Sequence, residues 1–273
     1  MVISVSGRDS IRSVGRYEVP EILGKNTCGP VIRAMKKDFG IRNGISMVID
    51  KHIMPLGGLG SSGSTAAGAA FGINRLFGLH LSKNRLVHYA SLGEVISAGT
   101  PHVDNVAPAI FGGFTVVTHR NPIRIRKISV NAGLDAIIIL PGRGKASTKK
   151  AREILPESVP RKAAQLNTER VASLVCSLVD NDAKGIIGAI GDDIIEPARA
   201  AAGIILHFYE IKKVCNSFGY SASSSGAGPA ILILGEKGNK HRDMLLKGID
   251  RIFKERHEVF ISGIQNSGIG VMR

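Results

Sequence analysis

At 273 residues the chain exceeds the usual domain of roughly 100–150 residues, which leaves one large domain or two modest ones. Hydrophobic residues at 44% and charged residues at 21% exclude wholesale disorder, and no apolar run approaches the roughly 18 residues of a membrane-spanning helix. A net charge of +14, from 36 basic and 22 acidic residues, attracts anions. Aromatics at 5% and no tryptophan leave out the stacking platforms that read single strands, so an anionic small substrate is expected, with no nucleic acid and no membrane partner.

The opening MVISVSGRDS lacks a basic stretch followed by an apolar one, and a cytoplasmic chain is expected. Cys28, Cys176 and Cys215 are odd in number and widely spaced, which fits inert thiols rather than a disulfide framework or a zinc site.

Taken in chain order, hydrophobic periodicity and β-branched runs predict a strand over 45–49, helices over 62–77 and 83–97, and strands over 109–118 and 134–140. Helices over 147–155, 168–179 and 194–218, a strand over 230–234, a helix over 240–254 and a strand over 259–264 follow by the same signals. This alternation implies an α/β or α+β chain. A basic, proline-containing stretch around 120–128 (RNPIRIRKI) is the expected seam, giving domains 1–127 and 128–273.

The richest segment is Pro55-Leu56-Gly57-Gly58-Leu59-Gly60-Ser61-Ser62-Gly63, which runs straight into an apolar-periodic helix. Glycines at 57, 58 and 60 permit turns closed to other residues and a close approach of a ligand to the main chain. A loop so placed presents free N–H groups at the positive end of a helix, a cradle for phosphate; an ordinary helix cap with tight turns is the other reading. No Gly-Lys-Ser/Thr and no G-x-G-x-x-G is present, so this is neither a Walker loop nor a dinucleotide fingerprint.

This segment resembles the phosphate-binding signature of the GHMP kinases. Within them, His102-Val103-Asp104-Asn105-Val106-Ala107-Pro108, with Glu94 eight residues before His102, resembles the central motif of the homoserine kinase family. Ser225-Gly226-Ala227-Gly228-Pro229 is similar to the third GHMP motif. Lys25-Asn26-Thr27, Ser147-Thr148-Lys149-Lys150-Ala151-Arg152 and Ile195-Glu196-Pro197-Ala198-Arg199 agree with the same family.

The resemblance implies a two-domain α+β fold, with an N-terminal domain like ribosomal protein S5 domain 2 and a ferredoxin-like C-terminal domain. It implies ATP and Mg2+ as cofactors, L-homoserine as substrate, O-phospho-L-homoserine as product on the way to threonine, and a homodimer. Ser62 and Glu94 are similar to the family's magnesium-side hydroxyl and carboxylate. Asn26 resembles the asparagine at the nucleotide base or ribose, or caps a helix. His102 and Asn105 stand where the family holds the amino acid, although a lone histidine is also a common core residue. Arg152 and Arg199 look like the arginines that grip a carboxylate or phosphate, for which the planar guanidinium suits; a solvated helix face is the alternative. The loop 225–229 implies a wall of the nucleotide pocket.

No catalytic base is assigned, because a loose phosphoryl-transfer transition state places little demand on early proton removal. Residues 1–40 contain no match to the family's Ala-Asn-Leu-Gly-x-Gly-Phe-Asp segment, and the chain reads as starting just after it. Two rival expectations follow: another GHMP kinase, and a nucleotide-binding remnant without turnover.

Overall fold

The computed structural model describes residues 1–142 and 150–271. It comprises two compact units, one of Met1–Pro55, Gly60–Ile128 and the segment from Gln265 onward, the other of Leu56–Leu59 and Ser129–Ile264. The continuous division at 127/128 differs from this in two places, each with a physical reason given below.

In the first unit, β1 (Val2–Ser6), β2 (Ser10–Gly15), α1 (Cys28–Phe39) and β3 (Gly44–Lys51) precede α2 (Ser61–Leu76), α3 (Lys83–Gly93), α4 (Val95–Ala98), α5 (Val106–Phe111), β4 (Phe114–Arg120) and β5 (Ile123–Ile128). β3 lies between β1, antiparallel to it, and β2, parallel to it. Its alternation sends Ile45, Met47, Ile49 and Lys51 to one buried face, as a strand's two-residue period requires. Against it pack Val31, Ile32 and Met35 of α1 and the small residues Ala66, Ala67, Ala69 and Ala70 of α2. Each large aliphatic side chain buried there contributes roughly 1.5–3 kcal/mol.

The tail explains one departure from a continuous division. Gly113 N–H donates to Gln265 O at 2.8 Å, Ile269 N–H to Ala109 O at 2.9 Å, and Lys127 Nζ to Asn266 O at 2.6 Å, so the segment from 265 belongs with the first unit.

In the second unit, β6 (Leu134–Pro141), α6 (Lys150–Glu153), α7 (Arg161–Asp180), α8 (Ala183–Ala189), α9 (Ile195–Ala201), α10 (Phe208–Ser217), β7 (Tyr220–Ser224), β8 (Ile231–Glu236), α11 (Arg242–Ile252) and β9 (His257–Ser262) follow. Among the described residues the sheet runs β7-β8-β6-β9, antiparallel throughout. That order, with helices between β6 and β7 and between β8 and β9, is ferredoxin-like. Its core joins Ile137 and Ile139 to Phe208, Ile211, Ile231, Ile233, Leu245 and Ile249.

Three expected elements are corrected. The strand over 109–118 is the end of α5 followed by β4, because Gly112 and Gly113 take φ of 71° and 64°, a left-handed kink that stops the helix and aims a new strand. The helix over 83–97 is α3 and then α4, re-entered through Glu94. The helix over 194–218 is α9 and α10, separated where Gly203 and His207 take φ of 68° and 54°. The helix expected over 168–179 begins earlier, after Pro160, as proline at a helix entry allows. Of the helix expected over 147–155, Ser147, Thr148 and Lys149 lie outside the described residues. No described helix is long and apolar enough to cross a membrane.

Candidate active site

The glycine loop divides between the units. Residues 56–59 group with the second unit because Ala230 N–H donates to Gly57 O at 3.1 Å and Ser225 Oγ to Gly58 O at 3.0 Å. The two glycine loops are thereby pressed together: Gly58 has φ of 85°, and a Cβ there would stand 2.7 Å from Gly228 O and closer still to Ser225 O. Gly226 returns the constraint, with φ of 54° and a Cβ position 2.7 Å from Gly58 O. Both must be glycine, for conformation and for space.

From Gly60, left-handed at φ 65°, the chain enters α2. Ser61 and Ser62 are then used differently. Ser61 is buried and donates to Ile53 O at 2.9 Å, which makes it structural. Ser62 stays half-exposed, its Oγ 3.4 Å from Ser97 Oγ, which lies another 3.4 Å from Glu94 Oε1. The two residues expected beside magnesium are thus brought together around a third oxygen, at the first turn of a helix whose N–H groups are free of intrahelical partners. Three hard oxygens, one anionic, suit a divalent ion that keeps waters and takes its remaining ligands from phosphate. Glu94 itself is 3% exposed.

Asn105 packs on the same helix. A Cβ at Gly63 would meet Asn105 Cβ at 2.9 Å, and one at Gly60 would lie 3.7 Å from Asn105 Oδ1, so Asn105 stands over the glycine-loop turn. His102 lies just before α5, its Nε2 3.0 Å from Thr100 Oγ1 and its Nδ1 3.8 Å from Asp104 Oδ1; it is not a core histidine. Asn26 is buried and committed: its Nδ2 donates to Pro20 O at 2.6 Å and its Oδ1 accepts from Cys28 N–H at 2.9 Å. Those bonds tie the residue before the α1 N-cap, Thr27, whose own side chain makes no capping bond.

In the second unit Arg199, on α9, is 7% exposed and donates from Nη1 to Gly226 O at 2.7 Å. Its buried Nε has no hydrogen-bond partner among the described residues. An orphaned buried donor costs stability unless a ligand takes it. Burial lowers the guanidinium's affinity for its proton; Asp192 and Glu196 oppose this and Arg152 adds to it. Arg152, on α6, is close enough to act electrostatically on Arg199.

Three residues of the site escaped the sequence reading. Ser97 carries no motif of its own. Lys51, 4% exposed, extends the inward alternation of β3 and donates to Ser61 O and Thr65 Oγ1, both at 2.6 Å; that alternation was the available signal. Burial pulls its ammonium down from 10.5 to about 8, with Cys28 and Glu94 holding it up. Glu196 was noted only as part of the segment that carries Arg199.

Residues 26–113 match the family model of the GHMP kinases N terminal domain, and the fold and the glycine-loop helix define a kinase of that class. The homoserine kinase of Methanococcus vannielii is 44% identical over 240 residues, which are 87% of this chain and 76% of that protein. That of Thermoplasma volcanium is 38% identical over 240 residues, with the same shares covered. The crystal structure of a homoserine kinase from Cytophaga hutchinsonii superposes with a TM-score of 0.86 at 31% identity, over 97% of this chain and 86% of that one. The chain belongs to the homoserine kinase family. A mevalonate kinase structure from L. major, TM-score 0.70 at 17% identity over 98% of this chain and 86% of that one, shares the fold alone.

Proposed function

We propose that this chain transfers the γ-phosphoryl group of ATP to the side-chain hydroxyl of L-homoserine, giving ADP and O-phospho-L-homoserine. The observation that carries the reading is the Ser62–Ser97–Glu94 oxygen cluster at the mouth of the glycine-loop helix, in a chain 44% identical to a homoserine kinase. Phosphoryl transfer needs positioning and charge neutralisation more than covalent help, and these residues supply both.

In this reading the N–H groups of the α2 first turn, with Gly60 and Gly63, take the phosphates. Ser62 and Glu94 hold Mg2+, which when bound neutralises phosphate charge as it develops. The loops 56–59 and 225–229 shape the nucleotide pocket by their close backbone approach. His102 and Asn105 hold the amino acid's polar groups, and Arg152 and Arg199 grip its carboxylate or the transferring phosphate. Asn26 serves the nucleotide side through the backbone it fixes at α1. A homodimer and a cytoplasmic setting complete the proposal, the former checked by light scattering.

The test is ADP release coupled to L-homoserine and MgATP, on this chain and on Arg199→Ala and Ser62→Ala. Homoserine-dependent turnover that both variants lose is the expected result. ATP binding without homoserine-dependent turnover overturns the acceptor assignment.

A further inference from the structure

Glu196 is 1% exposed, and both of its carboxylate oxygens are taken. Oε2 accepts from Asp192 N–H at 3.1 Å and from Lys212 Nζ at 3.2 Å. Oε1 accepts from Ser223 Oγ at 2.6 Å and from Ser224 N–H at 2.9 Å. A purely local duty exists for such a residue. Asp192 Oδ1 accepts from the N–H groups of Ile194, Ile195 and Glu196, and Glu196 answers through Asp192 N–H, a reciprocal cap of α9.

That duty needs only one oxygen. The second is spent outside the helix, on the last two residues of β7, which lead directly into the loop 225–229. Arg199 lies three residues after Glu196, one helical turn on and so on the same face. It binds that same loop at Gly226 O. The contacts close a ring: Glu196 to Ser223 and Ser224, along the chain to Gly226, across to Arg199, and back along one turn of α9. A buried carboxylate is costly unless fully satisfied, and here its four donors fix it to α9, to α10 through Lys212, and to the strand that feeds the loop.

We infer that Glu196 is the positioning residue of the Arg199 guanidinium, fixing where its unpartnered Nε points relative to the 225–229 loop. The inference deepens the proposed reaction and rests on the reading that Arg199 meets substrate. Ser223 is its accessory, since its hydroxyl makes the shortest of the four bonds.

Glu196→Gln isolates the effect. The amide keeps one acceptor oxygen for Ser223 and Ser224 but turns donor toward Asp192 N–H and Lys212. With L-homoserine and MgATP, KM for homoserine should rise about tenfold or more while KM for ATP stays within about twofold, the size of loss expected when a binding group is displaced without being removed. In an Arg199→Lys background the same change should add little, and Ser223→Ala should move KM in the same direction by less.

A second readout does not depend on turnover. The Arg199 Nε–H resonance, identified by its disappearance in Arg199→Lys, should be slowly exchanging in the wild type and should shift and exchange faster in Glu196→Gln and Ser223→Ala. An unmoved resonance, or a lower melting temperature with KM for homoserine unchanged, overturns the inference and leaves Glu196 as a helix cap. A wild-type chain that ignores homoserine overturns the acceptor reading, while the resonance still decides the role of Glu196.

Discussion

Lys51 and Thr65 are joined by a 2.6 Å hydrogen bond, and a second of the same length to Ser61 O holds the buried ammonium against the first turn of α2. Its proton affinity is lowered by burial to about 8. Between about pH 8 and 10.5 the unfolded chain therefore binds more protons than the folded one, and stability rises with pH across that window. Below about pH 8 the cost of burying the charge is fully present. Urea unfolding of the wild type and of Lys51→Met should show the wild type gaining on the variant from pH 7 to 10. The buried thiols of Cys28 and Cys215, pushed up to about 12, lower both proteins alike above pH 9. A difference that stays flat with pH refutes the assignment.

The oxygen cluster predicts a graded magnesium response. Ser97→Ala removes the oxygen between Ser62 and Glu94 and should raise the half-saturating magnesium concentration roughly tenfold, as loss of an outer partner of a metal ligand does. Glu94→Gln, which removes the cluster's charge, should raise it further and lower kcat. Titrations at saturating ATP and homoserine check the order; a Ser97→Ala half-saturation unchanged from wild type would remove Ser97 from the site.

Two left-handed glycines give a matched pair for stability. A Cβ at Gly40, φ 63°, meets nothing within 4 Å, so Gly40→Ala should cost about 1 kcal/mol from conformation alone. At Gly58 the added atom also strikes the backbone at Ser225 and Gly228, and a cost of about 2–4 kcal/mol is expected, with weaker nucleotide binding. Chemical denaturation and nucleotide titration separate the two.

Asn26→Ala leaves Pro20 O and the Cys28 N–H without their partners and should lose about 1–3 kcal/mol of stability. If those bonds are the whole of its role, KM for ATP at a temperature well below unfolding stays within about twofold of wild type. A larger rise assigns Asn26 a nucleotide contact as well.

Much of the fold was legible because its strands alternate cleanly. β3, β6 and β8 carry runs of isoleucine, leucine, valine or methionine that only a buried strand explains. β1, VISVS, was expected as a strand only through the family resemblance, and β2, SIRSVG, was not expected at all: both are short, half polar and mostly exposed, and the long partner β3 makes them strands. α1 was expected as a helix after Lys25-Asn26-Thr27 but without bounds, Gly29-Pro30 standing in its first turn, a position where proline is in fact tolerated.

The site divides in the same way. Ser62, Glu94 and Arg199 sit in motifs whose spacing survives in one dimension. Ser97 and Glu196 matter through partners reached by folding, Ser97 to a helix 35 residues back and Glu196 to a strand 27 residues on; Ser97 stands in no motif, and the motif around Glu196 points to Arg199 rather than to its own role.

The tail that bonds to Ala109, Gly113 and Lys127 sets an order of events during synthesis. Residues 129–264, which make up nearly all of the second unit, emerge from the ribosome before the residues that finish the first. A domain folds as a unit once its residues are available, so the ferredoxin-like unit can settle while the glycine-loop unit still waits for residues 265–269. The first unit, whose other residues are translated ahead of residues 129–264, is then completed after them, once the segment that bonds to Ala109, Gly113 and Lys127 has emerged.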